Sequence, residues 1–213
     1  MRNGIVVGLA AEARIARRLG WPVAIGGGTT AGAEAAADAL VRQGCAGLIS
    51  FGLAGGLDPT LKSGALIVPS AVIADGRHYA ADPDLSRMLG GATPHRVLGA
   101  DAIVDSVEEK RRQRGLTGAA AVDLESGAVA RIASTYSIPF AVLRAICDHA
   151  ERALAPAALV ALDTHGGVKA WRVLASIVAR PTQLPALLAL AANAAAARQA
   201  LIARVKRLAQ ASP

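Results

Sequence analysis

Short apolar runs alternate with amphipathic ones along most of the chain, and each change of period predicts a change of element. IVVGL at 5–9 predicts a buried strand, and residues 10–19 a short helix with Ile15 and Leu19 one turn apart. VAI at 23–25 predicts a second strand, which runs into Gly26, Gly27 and Gly28. Residues 30–43 read as an Ala-rich helix ended by Gly44, and GLISFG at 47–52 as a strand leading into LAGGL. ALIVPSAVI at 65–73 reads as a strand broken or edged by Pro69, because proline has no N–H for a ladder. A short helix over 82–90, a strand at 95–99 and a charged helix at 106–114 follow. AAAVDL at 119–124 predicts another strand, with a helix directly after it through Tyr136, and PFAVLRAI at 139–146 a last strand. From about 154 the pattern is helical only, with breaks at Pro181 and Pro185.

This strand–loop–helix alternation predicts an α/β fold, three layers α/β/α around a central mixed, mostly parallel sheet. No linker and no internal repeat divides the chain, so residues 1–213 read as one domain with an all-helical portion from about 154. The 53% hydrophobic content supports a sizeable core, while 3% aromatics leave little for stacking on nucleic acid or carbohydrate. Cys45 and Cys147 lie in apolar stretches without metal-ligand spacing, which predicts two buried free thiols and no metal. GLAA after the first strand runs into Glu12 and Arg14 rather than a cleavage site, so a cytoplasmic location is expected. The uncharged run between Arg180 and Arg198 falls short of the ~18 residues a membrane span needs.

Charge is unevenly placed. Residues 1–163 balance 16 Lys and Arg against 16 Asp and Glu, and the formal +7 sits on Lys169, Arg172, Arg180, Arg198, Arg204, Lys206 and Arg207. Solvated helix faces account for such an excess. So does peripheral attraction to an anionic membrane, and nucleic acid is not the expected partner.

In open α/β sheets ligands bind beyond the carboxyl ends of the strands. Four groups of residues fall there. Gly8 with Glu12 ends the first strand, where glycine admits close approach and a carboxylate one turn later could act as a base. GGGTT opens a helix, so Gly26, Gly28, Thr29 and Thr30, together with Gly8, suit a phosphate through amides and hydroxyls. FGLAGGL at 51–57 ends a strand without charge, and Ala54 and Gly55 would let a flat ligand lie on the backbone. VDLES at 122–126 and RAICD at 144–148 place Glu125 and Asp148 at strand ends, with Arg144 and Asp148 on one face by the period of two. Carboxylates buried there need partners. A sugar diol suits Glu125 and a purine nitrogen suits Asp148. Helix capping by Asp123, Glu125 or Asp148 is the plainer alternative.

FGLAGGL, GADAIVDS at 99–106, VDLESGAVA at 122–130 and PFAVLRAICD at 139–148 come in the order found in the purine nucleoside phosphorylase and methylthioadenosine/adenosylhomocysteine nucleosidase superfamily, which the chain resembles over about residues 4–150. The resemblance implies an enzyme without a cofactor, commonly a homo-oligomer. It implies that Glu125 grips the ribose hydroxyls, Asp148 protonates purine N7, Arg144 lies near the nucleophile and Leu124 packs on the ribose. Ile103 falls where an aromatic often covers the base, and Cys147 where a serine often orients the acid. The segment between Gly8 and Gly26 is shorter than usual, as if a hairpin were missing, which should open one side of the pocket. With ALAPAALVAL at 153–162, VLASIV at 173–178, LPALLALAA at 184–192 and the basic C-terminal region, the resemblance is to the hopanoid-associated branch. That branch implies adenine release from adenosylhopane, a lipid-linked nucleoside, with inorganic phosphate as co-substrate. Hydrolysis of adenosylhopane, methylthioadenosine or adenosylhomocysteine is the alternative, and a non-catalytic nucleotide-binding protein the third. An inward-pointing Glu12 would favour water, since a carboxylate repels phosphate.

Overall fold

The computed structural model describes residues 2–154 and 184–211. Its elements are β1 (Asn3–Val7), α1 (Ala10–Ala16) with a 3-10 turn at Arg17–Leu19, β2 (Val23–Ile25), α2 (Thr30–Arg42) and β3 (Gly47–Gly56). Next come β4 (Leu66–Ile67), β5 (Pro69–Ala74), β6 (Arg77–Ala80), α3 (Pro83–Met88), β7 (Thr93–Gly99) and α4 (Val107–Thr117). β8 (Ala121–Asp123), α5 (Ser126–Thr135), β9 (Phe140–Asp148) and α6 (Leu184–Ala211) complete the described residues.

All nine strands belong to one mixed sheet. β3 is its hub, parallel to β1 and to β9, while its glycine-rich end turns antiparallel onto β8. β2 extends the sheet beyond β1, and β7 and β5 continue it in parallel from β8. β4 and β6 are short antiparallel additions to β9 and β5.

The period of two divides the apolar residues of the central strands between two cores. Val6, Leu48, Val142 and Ile146 face a layer built by α2 and α5. Ile5, Val7, Ile49, Phe51 and Leu143 face the opposite layer, where Ala197, Leu201 and Val205 of α6 pack at helical spacing. This is the expected three-layer arrangement.

Several elements differ from expectation, each for a local reason. β3 runs four residues further, through LAGG, because those glycines pair with both β8 and β9. Pro69 divides the expected 65–73 strand into β4 and β5, which pair with different neighbours. The hairpin to β6 has no counterpart in the sequence reading. Its turn is Asp75–Gly76, both at positive φ (52° and 67°), the signature of an Asp-Gly hairpin turn. Pro185 does not break a helix. It is the second residue of α6, in the first turn, where no intrahelical N–H is lost. Pro181, Lys169, Arg172, Arg180, VLASIV and most of ALAPAALVAL lie outside the described residues. Between Gly8 and Gly26 the chain holds only α1, the 3-10 turn and β2, with no hairpin. No described helix is long and apolar enough to cross a membrane.

Candidate active site

Six strand ends converge on one cavity of about 210 Å³. Leu9 and Glu12 follow β1, Gly28 follows β2, and Leu53, Ala54 and Gly55 belong to β3. Ala102, Ile103 and Val104 follow β7, Val122 to Glu125 end β8, and Cys147 and Asp148 end β9. Glu12, Leu124, Glu125, Ile103, Ala54, Gly55 and Asp148 are thus brought together, with Arg144 buried directly behind them.

At one end sits Arg144, fully buried. Its Nη2 donates to Ser50 Oγ at 2.7 Å, to Glu125 Oε2 at 3.2 Å and to Ser126 Oγ at 3.2 Å. Its Nε lies 2.8 Å from Asp123 Oδ2, an ion pair whose N–H is not aimed at the oxygen. Asp123, not Glu125, caps α5: its Oδ1 accepts from the amides of Glu125 (2.9 Å) and Ser126 (2.6 Å). The capping alternative therefore holds for Asp123 and leaves the Glu125 carboxylate free to face the cavity.

Glu12 points inward. As third residue of α1 it accepts from the Leu9 amide at 2.8 Å through Oε2, the backward bond of a capping box. Its Oε1 accepts from the Leu53 amide, also at 2.8 Å, which fixes it across the end of β3. Burial raises the pKa of Glu12 above the usual carboxylate range, against the pull of Arg144 and the backbone amides. Burial likewise pushes Glu125 up to about 8, with Arg144 opposing and the charges of Asp123 and Glu12 adding to the rise. One guanidinium cannot neutralise three buried carboxylates, so protons are held in the cluster.

At the other end Asp148 is 4% exposed and pairs with Lys110 Nζ. Burial raises the Asp148 pKa, and Lys110 opposes the rise. Cys147 Sγ is 3.9 Å from Asp148 Oδ1, a long contact, and burial pushes the thiol up to about 12. Both cysteines are free; Cys45 is buried and Cys147 partly so.

The expected phosphate group of residues does not assemble. Gly8 is packed against carboxylates, since a Cβ there would lie 2.4 Å from Glu125 Oε1. Gly26 serves helix packing: a Cβ there would lie 2.8 Å from the backbone of Ala33. The Thr29 hydroxyl caps α2 by accepting from the Gly32 amide at 3.1 Å, and the Thr30 hydroxyl donates to the Leu124 carbonyl at 3.3 Å. Of the five residues only Gly28 lines the cavity. The glycines and threonines are used by the fold itself, which a sequence motif does not reveal.

Lys110, Ser50 and Ser126 are absent from the sequence reading. Lys110 lies in VEEKRRQR, where neighbouring charges conceal one that turns inward. The only signal is its place three residues after Val107 and seven before Thr117, on the less exposed stripe of α4. Among the described residues, no three His, Cys, Asp or Glu side chains are grouped to hold a metal ion.

Residues 23–180 match the family model of the phosphorylase superfamily. Among solved structures, a Helicobacter pylori 5′-methylthioadenosine/S-adenosylhomocysteine nucleosidase aligns at TM-score 0.68 and 16% identity, covering 97% of this chain and 98% of its own. A nucleosidase of the same name from Colwellia psychrerythraea, in complex with adenine, aligns at 0.65 and 20%, covering 71% and 84%. The futalosine hydrolase of H. pylori aligns at 0.61 and 18%, covering 70% and 88%. At such identities the structural likeness establishes the shared fold, and the family match establishes descent. The chain belongs to the phosphorylase superfamily, and its fold is that of the methylthioadenosine/adenosylhomocysteine nucleosidases.

Proposed function

We propose that this enzyme releases adenine from a 5′-substituted adenosine, with water as the nucleophile. The observation that carries the reading is the single cavity joining Glu12 and Glu125 at one end to Asp148 at the other. Glu125 accepts hydrogen bonds from the ribose hydroxyls. Asp148 gives its proton to purine N7 as the bond from N9 to C1′ breaks, so adenine leaves neutral. Glu12 takes a proton from water, whose oxygen bonds to C1′. The products are adenine and a free sugar, and Asp148 and Glu12 then exchange protons with solvent. The cluster of carboxylates beside C1′ suits a cation-like transition state.

Water is preferred to phosphate on electrostatic grounds. An anion beside C1′ would meet Glu12 and Glu125, while Arg144, the one cation there among the described residues, is already engaged by carboxylates and hydroxyls. The family resemblance to phosphorylases supports phosphate as the second reading.

For the 5′ group we favour a large apolar substituent, with adenosylhopane as the specific candidate. Leu9, Leu53, Val104, Leu124 and Leu154 line the cavity, and Ile103 stands 43% exposed at its rim. Lys206 and Arg207 are exposed near the end of α6, consistent with peripheral approach to an anionic membrane, whereas Arg204 is committed to the Leu89 carbonyl at 2.7 Å. Methylthioadenosine and adenosylhomocysteine are the water-soluble alternatives.

Chromatographic detection of free adenine tests the reading. Methylthioadenosine, adenosylhomocysteine and adenosylhopane in detergent are each incubated with and without phosphate. Release without phosphate is expected, fastest from adenosylhopane. Strict phosphate dependence would establish phosphorolysis instead, and absence of adenine from all three would remove the assignment.

A further inference from the structure

Lys110 is wholly buried, although it belongs to a helix of charged neighbours. Its Nζ donates to Asp148 Oδ2 and, at 2.9 Å each, to the carbonyls of His149 and Arg152. An ammonium has three donors, and here all three are matched. The same bonds tie α4 to the segment after β9. A further bond, from the Leu154 amide to the Asp105 carbonyl at 2.8 Å, joins that segment to the loop bearing Ala102, Ile103 and Val104.

We propose that Lys110 is the positioning residue for Asp148: it commits one carboxyl oxygen, leaves the other for the substrate, and stabilises the carboxylate that remains once the proton has gone to the purine. This rests on the reading of Asp148 as the acid. The proton given to N7 is the carboxyl proton of Asp148, replaced from solvent after adenine leaves.

The charged and titratable groups around Asp148 can be named. Lys110 approaches from α4, His149 and Arg152 follow it in sequence, and Cys147 precedes it on β9. Glu12, Asp123 and Glu125 line the far end of the cavity, with Arg144 held among them. Among the described residues Lys110 is the cation paired with Asp148. Without it, burial is opposed by the Gly56 amide and His149, and Asp148 holds its proton to higher pH.

The test uses Lys110→Met. The Asp148 carboxyl is titrated without substrate by carbon NMR of aspartate-labelled protein, its signal assigned by its loss in Asp148→Asn. The basic limb of kcat/KM is followed with whichever adenosine of the panel is cleaved fastest. Both are expected to move up by about one pH unit or more, while kcat at neutral pH falls by about tenfold. In an Asp148→Asn background, which carries no ionised partner to strand, adding Lys110→Met should lower adenine release by less than about twofold if it acts only through the acid. An unmoved titration and limb would overturn the proposal, as would an equally large loss in the Asp148→Asn background. Full activity of Asp148→Asn alone would instead remove the acid reading, and the substrate-free titration decides the role of Lys110 separately.

Discussion

Around Arg144 three acidic side chains gather on one cation, while 110 and 148 form a pair of one acid and one base. Both groups are buried, and both belong to one cavity. The cluster has surplus negative charge, so Glu12 and Glu125 hold protons more tightly than free carboxylates do. The pair is balanced, and the lysine has every donor matched. In the proposed reaction the difference follows two tasks. Positive charge would develop at C1′, where surplus negative charge lowers its energy. A proton would leave at the base end, where a balanced pair lets an acid be buried and still ionise.

The largest effect should come from removing the cation of the cluster. Arg144→Met leaves Asp123, Glu125 and Glu12 together without a counter-charge. Breaking a buried ionic group in this way costs about 3–5 kcal/mol. Urea unfolding should show a loss of that size, greater at pH 8 than at pH 6, because the stranded carboxylates are protonated at the lower pH. A loss under about 1 kcal/mol at both pH values would mean that the carboxylates are solvated and that the cluster is not a buried charge surplus.

Asp148→Asn attacks the balanced pair and should spare folding more than catalysis. Lys110 keeps two carbonyl acceptors and gains an amide oxygen, so a melting curve should change modestly. Adenine release should fall by about 100-fold or more, the scale of a lost general acid, while adenine binding persists. Normal release from Asp148→Asn would remove Asp148 as the acid, whereas adenine binding without release by the unsubstituted protein would make it a nucleotide-binding module.

Much of this architecture was legible in the chain. Alternating apolar runs located the strands of the two cores, and acids at strand ends located Glu125 and Asp148, because burying a carboxylate without purpose is unfavourable. Glu12 was legible as a candidate, but its direction depends on the Leu53 amide, 41 residues away. Lys110 was not legible. Its burial depends on carbonyls of His149 and Arg152, and its spacing from Val107 and Thr117 is a faint signal among so many neighbouring charges. GGGTT misled for the opposite reason: a local motif was already occupied by capping and packing.

A smaller effect separates stability from activity inside the cluster. Glu125 binds its proton up to about pH 8 in the folded protein, against ~4.3 in an unfolded chain. The folded-state value is the raised one, so the proton favours folding fully at low pH, and that contribution is lost as pH rises through 8. Glu125→Gln removes this dependence. Its melting temperature should fall less than that of the wild type between pH 5 and 9, while KM rises through loss of the ribose contact. Parallel pH profiles for the two proteins would show that Glu125 is not the proton-holding group.

The smallest effect tests the balance of the pair through a bystander. Cys147 adjoins Asp148, and its thiol is pushed up to about 12, first by burial and next by the Asp148 charge, with Glu12 adding and Lys110 opposing. Alkylation proceeds through the thiolate, so Cys147 should react slowly with iodoacetamide at pH 8. In a Cys45→Ala background it is the single thiol of the chain. Asp148→Asn removes the neighbouring negative charge and leaves the burial in place, so the rate should rise only a few-fold. Lys110→Met should slow the reaction instead, because it removes a cation that lowers this thiol. Opposite shifts from the two partners of one ion pair would report its charges directly, without substrate; shifts of the same sign would mean that both variants simply loosen the packing around Cys147.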